Sequence, residues 1–350
     1  MLQRLSVKNL TLFPDVAPLE FSEGLNIIVG ENGTGKTHLL KMVYSLIATS
    51  AESGRNPNAS PPTKTFLQKA YADKLIGVFK PDALGRLASR KQGRARCEAT
   101  LTFTDQALNV AISFATNAQS DVQIETLPQQ WDDKRALYLP TRELMTIYPG
   151  LVSLYDSHFL PLEETWRDTC IHLGMLPLRG RRSEAIANLI APLEEAMGGK
   201  VVLEKSGHFY LSIPGSGKME MYLVAEGLRK LAMLAQLISN GVLQEHGYLF
   251  WDEPEANLNP KLIRLIAYVI HALALNGVQV FIATHSYFLL KELELLARKQ
   301  PLPQQYFALV KESGVVGQIE QADTLTNLEH LVTLEEELAQ YDREMELSNA

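Results

Sequence analysis

The residues best placed to do chemistry begin with Gly30-Glu31-Asn32-Gly33-Thr34-Gly35-Lys36-Thr37, which satisfies G-x-x-x-x-G-K-[ST] without a mismatch. That spacing is suited to holding phosphates. Glycines let backbone N–H groups turn inward around phosphate oxygens, and a helix that follows aims its positive end at them. The Lys36 ammonium then reaches the β- and γ-phosphates of ATP, the Thr37 hydroxyl ligates Mg²⁺, and His38 closes the binding run. A chance glycine-rich turn is the alternative. Here the run follows a buried strand and opens an amphipathic helix, which is the context the motif requires.

A second set of groups lies far along the chain. Tyr248–Trp251 is apolar and ends in Asp252 and Glu253. At a strand tip, Asp252 is expected to hold the Mg²⁺ through water, and Glu253 to polarise the attacking water. Glu255 is a third carboxylate, which Pro254 redirects to a supporting place. His285, in Ala283-Thr284-His285-Ser286, is expected to hydrogen-bond the γ-phosphate as a neutral imidazole and so report ATP or ADP. Lys36, Glu253 and His285 thus form the candidate catalytic set for ATP hydrolysis. The expected turnover is slow without a partner, on the order of 1 s⁻¹ or below.

The elements that must position these groups can be read from periodicity. Short apolar runs at Leu2–Val7, Leu10–Phe13, Leu19–Phe21 and Leu25–Val29, separated by turn residues, predict strands, the last of them buried. His38–Ala48 has helical spacing, 50–64 reads as a surface loop, and Leu101–Phe103 with Val110–Phe114 reads as a hairpin. From about 140 to 198 the texture is helical and irregular, expected of a lid. Val201–Glu204 and Phe209–Ile213 read as a second hairpin. A helix at 225–240, a strand at 248–251, a helix at 260–275 and a strand at 278–283 form a parallel crossover unit. The acidic segment 324–346, with leucines at 325, 328, 331, 334 and 338, predicts an amphipathic tail helix. The expected divisions are an N-terminal lobe over 1–115, a helical lid with a hairpin over 116–215, a C-terminal lobe over 216–320 and a tail over 321–350.

With 350 residues, 46% of them hydrophobic and 21% charged, the chain can bury a sizeable core. Its net charge of −7 argues against bulk coating of nucleic acid, though not against a local basic groove. Two distant cysteines exclude a disulfide framework or zinc knuckle. No apolar run is long enough for a membrane span or signal segment, so a cytoplasmic protein without a membrane partner is expected.

The motifs, in this order, resemble the ABC-type ATPases of the SMC/RecF branch, and more narrowly the stand-alone "AAA family ATPases" of antiphage-defence operons. The resemblance rests on 5–40, 225–238, 248–260 and 283–286, about a third of the chain, with looser echoes at 74–79 and 139–150. It implies an α/β P-loop NTPase with an ABC-type head, a mixed sheet flanked by helices, and a helical lid. It also implies a homodimer that clamps two ATP molecules, each touching the phosphate loop of one head and a signature segment of the other. In this sequence that segment is Val224-Ala225-Glu226-Gly227-Leu228-Arg229-Lys230. Ala225 and Glu226 stand where the family has serine and glycine. A carboxylate facing a γ-phosphate repels it unless a cation such as Arg229 intervenes. Asn257, in Asn257-Leu258-Asn259, fits the loop that crosses the dimer interface. The glutamine that usually follows the first helix has no clear counterpart, and Gln68 reads better as a solvated surface residue than as that glutamine.

Arg86, Arg90, Lys91, Arg94 and Arg96 cluster without an acid, and Arg179, Arg181 and Arg182 form a smaller group. Such clusters suit a nucleic-acid backbone, a partner's acidic face or plain solvation. Arg142 is expected near the nucleotide or in the lid. The function expected is an ATP-gated head controlling a separate effector, a nuclease or other toxin, or engaging DNA, in phage defence. A RecF-like repair ATPase and a transporter ATPase subunit are the alternatives. Nuclease activity within the chain is excluded by the short segment after His285 and the lack of a D-x-D pair.

Overall fold

The computed structural model describes residues 1–55, 60–89, 95–176, 184–243, 247–312 and 315–348. The chain opens with β1 (Leu2–Leu10), β2 (Phe13–Asp15), β3 (Leu19–Glu20) and β4 (Leu25–Gly30), then α1 (Lys36–Gly54) and α2 (Lys64–Phe79). Strands β5 (Arg96–Phe103), β6 (Val110–Ala115), β7 (Gln123–Thr126) and β8 (Ala136–Leu139) follow. Next come helices α3 (Tyr148–Ser157), α4 (Glu164–Leu173) and α5 (Glu184–Met197) and strands β9 (Lys200–Leu203), β10 (Phe209–Ile213) and β11 (Gly217–Glu220). The last third runs α6 (Glu226–Ser239), β12 (Tyr248–Asp252), α7 (Pro260–Leu275), β13 (Gln279–Thr284), α8 (Tyr287–Lys299), β14 (Gln304–Glu312), β15 (Val315–Ala322) and α9 (Val332–Ser348).

The sheet that carries the site has the order β15-β14-β4-β13-β12-β8, with every pair from β14 to β8 parallel and β15 antiparallel at the edge. Its inner strands are apolar on both sides, as a sheet covered on both faces requires. Side chains alternate between two cores. Ile27, Trp251 and Ile282 face the core shared with α5, α6 and α7. Ile28, Phe250 and Phe281 face the core shared with α1, α2 and the antiparallel sheet. That second sheet has the order β2-β1-β5-β6-β7, with β3 also paired to β1, and a third, small sheet is β11-β10-β9.

Two sequence expectations change. The stretch 50–64 is not all surface loop, because α1 continues to Gly54 and buries Thr49 and Ala51 on the same face as Leu46 and Ile47. The tail helix starts at Val332 rather than 324. The Glu320 carboxylate accepts the backbone N–H groups of Glu329 and His330, which holds that stretch out of helix while Leu325, Leu328 and Leu331 pack on the core. Among the described residues, no helix is long and apolar enough to cross a membrane.

Candidate functional site

The carboxyl ends of β4, β12 and β13 converge, the usual ligand position in an open parallel sheet. There the Thr37 hydroxyl, at the start of α1, donates to the Asp252 carboxylate at 2.9 and 3.1 Å across a separation of 215 residues. Asp252 is nearly buried and makes no salt bridge among the described residues. Burial raises its proton affinity, partly offset by the hydrogen bond from Thr37.

Three glycines of the phosphate loop have positive φ, Gly33 at 76° among them, and at two of them an added side chain would also clash. Gly30 has φ 149°, and an added Cβ would meet the Leu309 carbonyl at 2.9 Å. Gly35 has φ 89°, and its Cβ would meet the Phe13 ring at 2.7 Å. Glu31, Asn32, Gly33 and Thr34 complete the turn, with Thr34 tied by its hydroxyl to the Glu31 carbonyl at 2.9 Å. Gly35 precedes α1 without a side-chain cap, so the first N–H groups of that helix are left for a ligand. The Lys36 ammonium, largely buried, donates to the carbonyls of Gly30 at 2.8 Å and Glu31 at 2.9 Å. Burial lowers its proton affinity, while Glu253, Asp252 and Glu255 pull it back up. His38 turns to Thr11, whose hydroxyl lies 2.9 Å from Nδ1, and burial makes its ring less basic than usual.

Glu253 follows Asp252 with φ 47°, a left-handed conformation rare for a residue with a Cβ, and its N–H donates to the Ala283 carbonyl at 2.9 Å. Its carboxylate lies 3.4 Å from His285 Nδ1. Glu255 is buried behind this pair. It accepts from the Thr284 hydroxyl at 2.6 Å and the His285 N–H at 3.3 Å, and its Oε2 has no partner among the described residues. The His285 ring is half exposed at the mouth of the site.

Ala225, Glu226 and Gly227 begin α6 and pack against the turn after Glu253 in the same chain. Glu226 accepts from the Asn257 side chain at 3.0 Å, and a Cβ at Gly227 would lie 3.1 Å from the Asn257 carbonyl. Arg229 does not shield Glu226. It pairs with Glu143 at 2.7 Å and donates to the Val224 carbonyl, because the buried Glu143 carboxylate needs a cation partner. Of the basic cluster, Arg90, Lys91 and Arg94 lie outside the described residues, as do Arg179, Arg181 and Arg182. Arg86 is exposed beside Thr11 and His38, whereas the Arg96 guanidinium donates to Ser113 at 2.7 Å on the neighbouring strand. Gln68 is half-buried in α2, where its carbonyl accepts from the Val122 N–H.

Two clefts flank the loop. One, of about 350 Å³, lies against Thr37, Asp252, Tyr138, Arg142 and Trp166. The other, of about 320 Å³, lies between Glu31, Asn32 and His285 and the residues that open the tail, His330 and Thr333.

Three contributors escaped the sequence reading. Thr284 fixes Glu255. Tyr138 lines the cleft beside Asp252, its hydroxyl held strongly protonated by burial and by that carboxylate. Lys230 donates into the Glu253 turn. Lys230 left a signal, because it interrupts the apolar stripe continued by Met233, Leu234 and Leu237.

The residues present fit magnesium. Two hard oxygen donors stand together, and the nearly buried carboxylate has no ion-pair partner among the described residues, a combination that favours a divalent cation.

A family model described as "AAA domain, putative AbiEii toxin, Type IV TA system" matches residues 117–291, and one described as "AAA domain" matches residues 4–132. No curated protein matches the chain. Among solved structures, the chain is similar to an Smc head bound to the C-winged helix domain of ScpA, at TM-score 0.56 and 14% identity over 93% of this chain and 98% of that one. It is also similar to the Smc head domain with an extended coiled coil bound to the C-terminal domain of ScpA derived from Pyrococcus furiosus. That match has TM-score 0.56 and 12% identity over 98% of both chains. At such identities the likeness concerns the fold, that of an SMC-type P-loop ATPase head.

Proposed function

The chain belongs to the AAA-domain family whose model spans residues 117–291, half its length, and from that premise we propose that it binds and hydrolyses magnesium–ATP. Two copies clamp two nucleotides, and the clamp gates a separate effector. The reading is carried by the direct contact of Thr37 with Asp252, which joins the loop and the acidic strand at one point.

The chain's own groups divide the work. The uncapped start of α1 and the phosphate-loop N–H groups bind phosphate oxygens, and Lys36 exchanges its carbonyl partners for the β- and γ-phosphates. Thr37 and Asp252 would hold magnesium, which would supply charge neutralisation at the phosphates. The Glu253 carboxylate orients the attacking water and accepts its proton, with His285 beside it at 3.4 Å to bond the γ-phosphate. Glu255 and Thr284 keep that imidazole's backbone in place. In the clamped pair, Ala225, Glu226, Gly227 and Asn257 face the partner's nucleotide. There the Glu226 carboxylate accepts a hydrogen bond from Asn257, which ties the start of α6 to the turn after Glu253.

The family description attaches a putative toxin and a toxin–antitoxin system to the matching domain itself, and the placing of the pair in defence against phage rests on the resemblance of the motifs. The decisive experiment is Glu253→Gln with ATP and magnesium. Hydrolysis is expected to fall on the order of 10²-fold or more, with the protein eluting as a stable dimer. A monomer at every nucleotide concentration would remove the clamp, and unchanged phosphate release would remove Glu253 from the chemistry.

A further inference from the structure

The turn that carries Glu253 is gripped from α6 by a buried lysine. Lys230 is 2% exposed and makes no salt bridge among the described residues. Its ammonium donates instead to two backbone carbonyls, those of Glu253 at 3.0 Å and Ala256 at 3.2 Å. Burying a cation in this way is costly, and a helix needing only an apolar stripe would place leucine or methionine there. Burial lowers its proton affinity to about 8, against the pull of Glu255, Glu253, Glu226 and Asp252.

What the cation secures is specific. The Glu253 N–H is already held by the Ala283 carbonyl on β13, and Lys230 takes its C=O, so both polar groups of one strained residue are fixed from two different elements. The neighbouring turns close within the same grip, with Ala256 N–H on the Glu253 carbonyl and Leu258 N–H on the Glu255 carbonyl, each at 3.1 Å. Without the ammonium, the Glu253 carbonyl keeps only the Ala256 N–H, so the hold on the strained φ of 47° weakens and the carboxylate loses its fixed direction.

We propose that Lys230 is a positioning residue for hydrolysis, clamping the backbone of the Glu253–Ala256 turn so that the Glu253 carboxylate points at the nucleotide. The proposal rests on the ATPase reading above for its catalytic consequence, and on the hydrogen bonds alone for its structural one.

The test compares Lys230→Met, similar in length but unable to donate, and Lys230→Arg with the unchanged chain. Phosphate release and the binding of a fluorescent ATP analogue are measured together. Lys230→Met should lower kcat about 10- to 100-fold while KM and analogue affinity stay within about twofold, because a displaced catalytic group costs rate and not binding. Lys230→Arg should recover part of the loss. Hydrogen exchange on the nucleotide-free protein supplies a readout independent of activity. The amides of Ala256 and Leu258 should exchange at least about 10-fold faster in Lys230→Met, with α1 unaltered.

Unaltered exchange in that turn overturns the proposal. So does a kcat within about threefold of the unchanged chain, or a loss shared equally by analogue binding. If the unchanged chain releases no phosphate from ATP, the ATPase reading fails, and the exchange experiment still decides whether Lys230 holds the turn.

Discussion

Asp252 is a nearly buried carboxylate whose chief neighbour is a hydroxyl rather than a cation. Its raised proton affinity means that the folded, metal-free protein binds a proton there more readily than the unfolded chain. The contribution to stability is therefore unfavourable above the folded pKa and is relieved as pH falls through it. Asp252→Asn removes the buried charge and keeps an oxygen for Thr37. It is expected to stabilise the metal-free protein by on the order of 1 kcal/mol in urea unfolding at neutral pH. The same change should abolish any magnesium dependence of nucleotide binding. Destabilisation instead would mean that the carboxylate has a compensating partner in solution. Lys36 carries a related tension, since its buried ammonium is satisfied by carbonyls of its own loop, a conformation it must leave to meet a phosphate.

At the scale of the element, α4 offers a pH test remote from the nucleotide. His172 is buried, its Nδ1 has no partner among the described residues, and burial depresses its pKa to about 4, with Arg55 adding to the effect. The unfolded chain therefore binds the extra proton between about pH 6.5 and pH 4. The stability this histidine confers is whole above that window and is lost as pH falls through it. About 2 kcal/mol should disappear between about pH 7 and pH 5, and His172→Gln should flatten that dependence in denaturant titrations. Elements with strong local signals were legible in the sequence. Strand β4 and the β12–α7–β13 crossover are dominated by apolar residues, the start of α1 is marked by the glycine loop before it, and α7 is capped by Asn259 with Pro260 behind it. The run Tyr306–Leu309 in β14 is apolar too, but its role next to β4 depends on a pairing across the whole chain that no local pattern encodes. For Lys230 the only local signal is its break in the apolar stripe of α6. On a helix it reads as one more charge, and only the turn folded against it makes it a clamp.

At the scale of the whole molecule, the two large sheets are joined by buried Gln279 as well as by Gln321 on β15, whose amide bonds the Glu20 N–H and the Pro18 carbonyl. Gln279 is fully buried on β13. Its Oε1 accepts the Leu2 N–H at 2.9 Å, and its Nε2 donates to the carbonyls of Leu2 at 2.7 Å and Ser22 at 2.8 Å. Gln279→Leu leaves those three backbone groups unsatisfied and should cost about 3 kcal/mol in equilibrium unfolding, with the nucleotide site lost in the same transition. A cost below about 1 kcal/mol would show that the sheets do not depend on the amide. The sheet order has a temporal side as well. Strand β4 leaves the ribosome early, yet both of its neighbours, β13 and β14, are made roughly 250 residues later. At roughly 5–20 residues per second, that apolar ribbon spends tens of seconds with two bare edges. During that interval a nascent chain already contains the complete glycine loop but cannot hold it against Asp252, so newborn polypeptides are expected to need sheltering by a chaperone and to ignore cellular ATP until translation has passed β13.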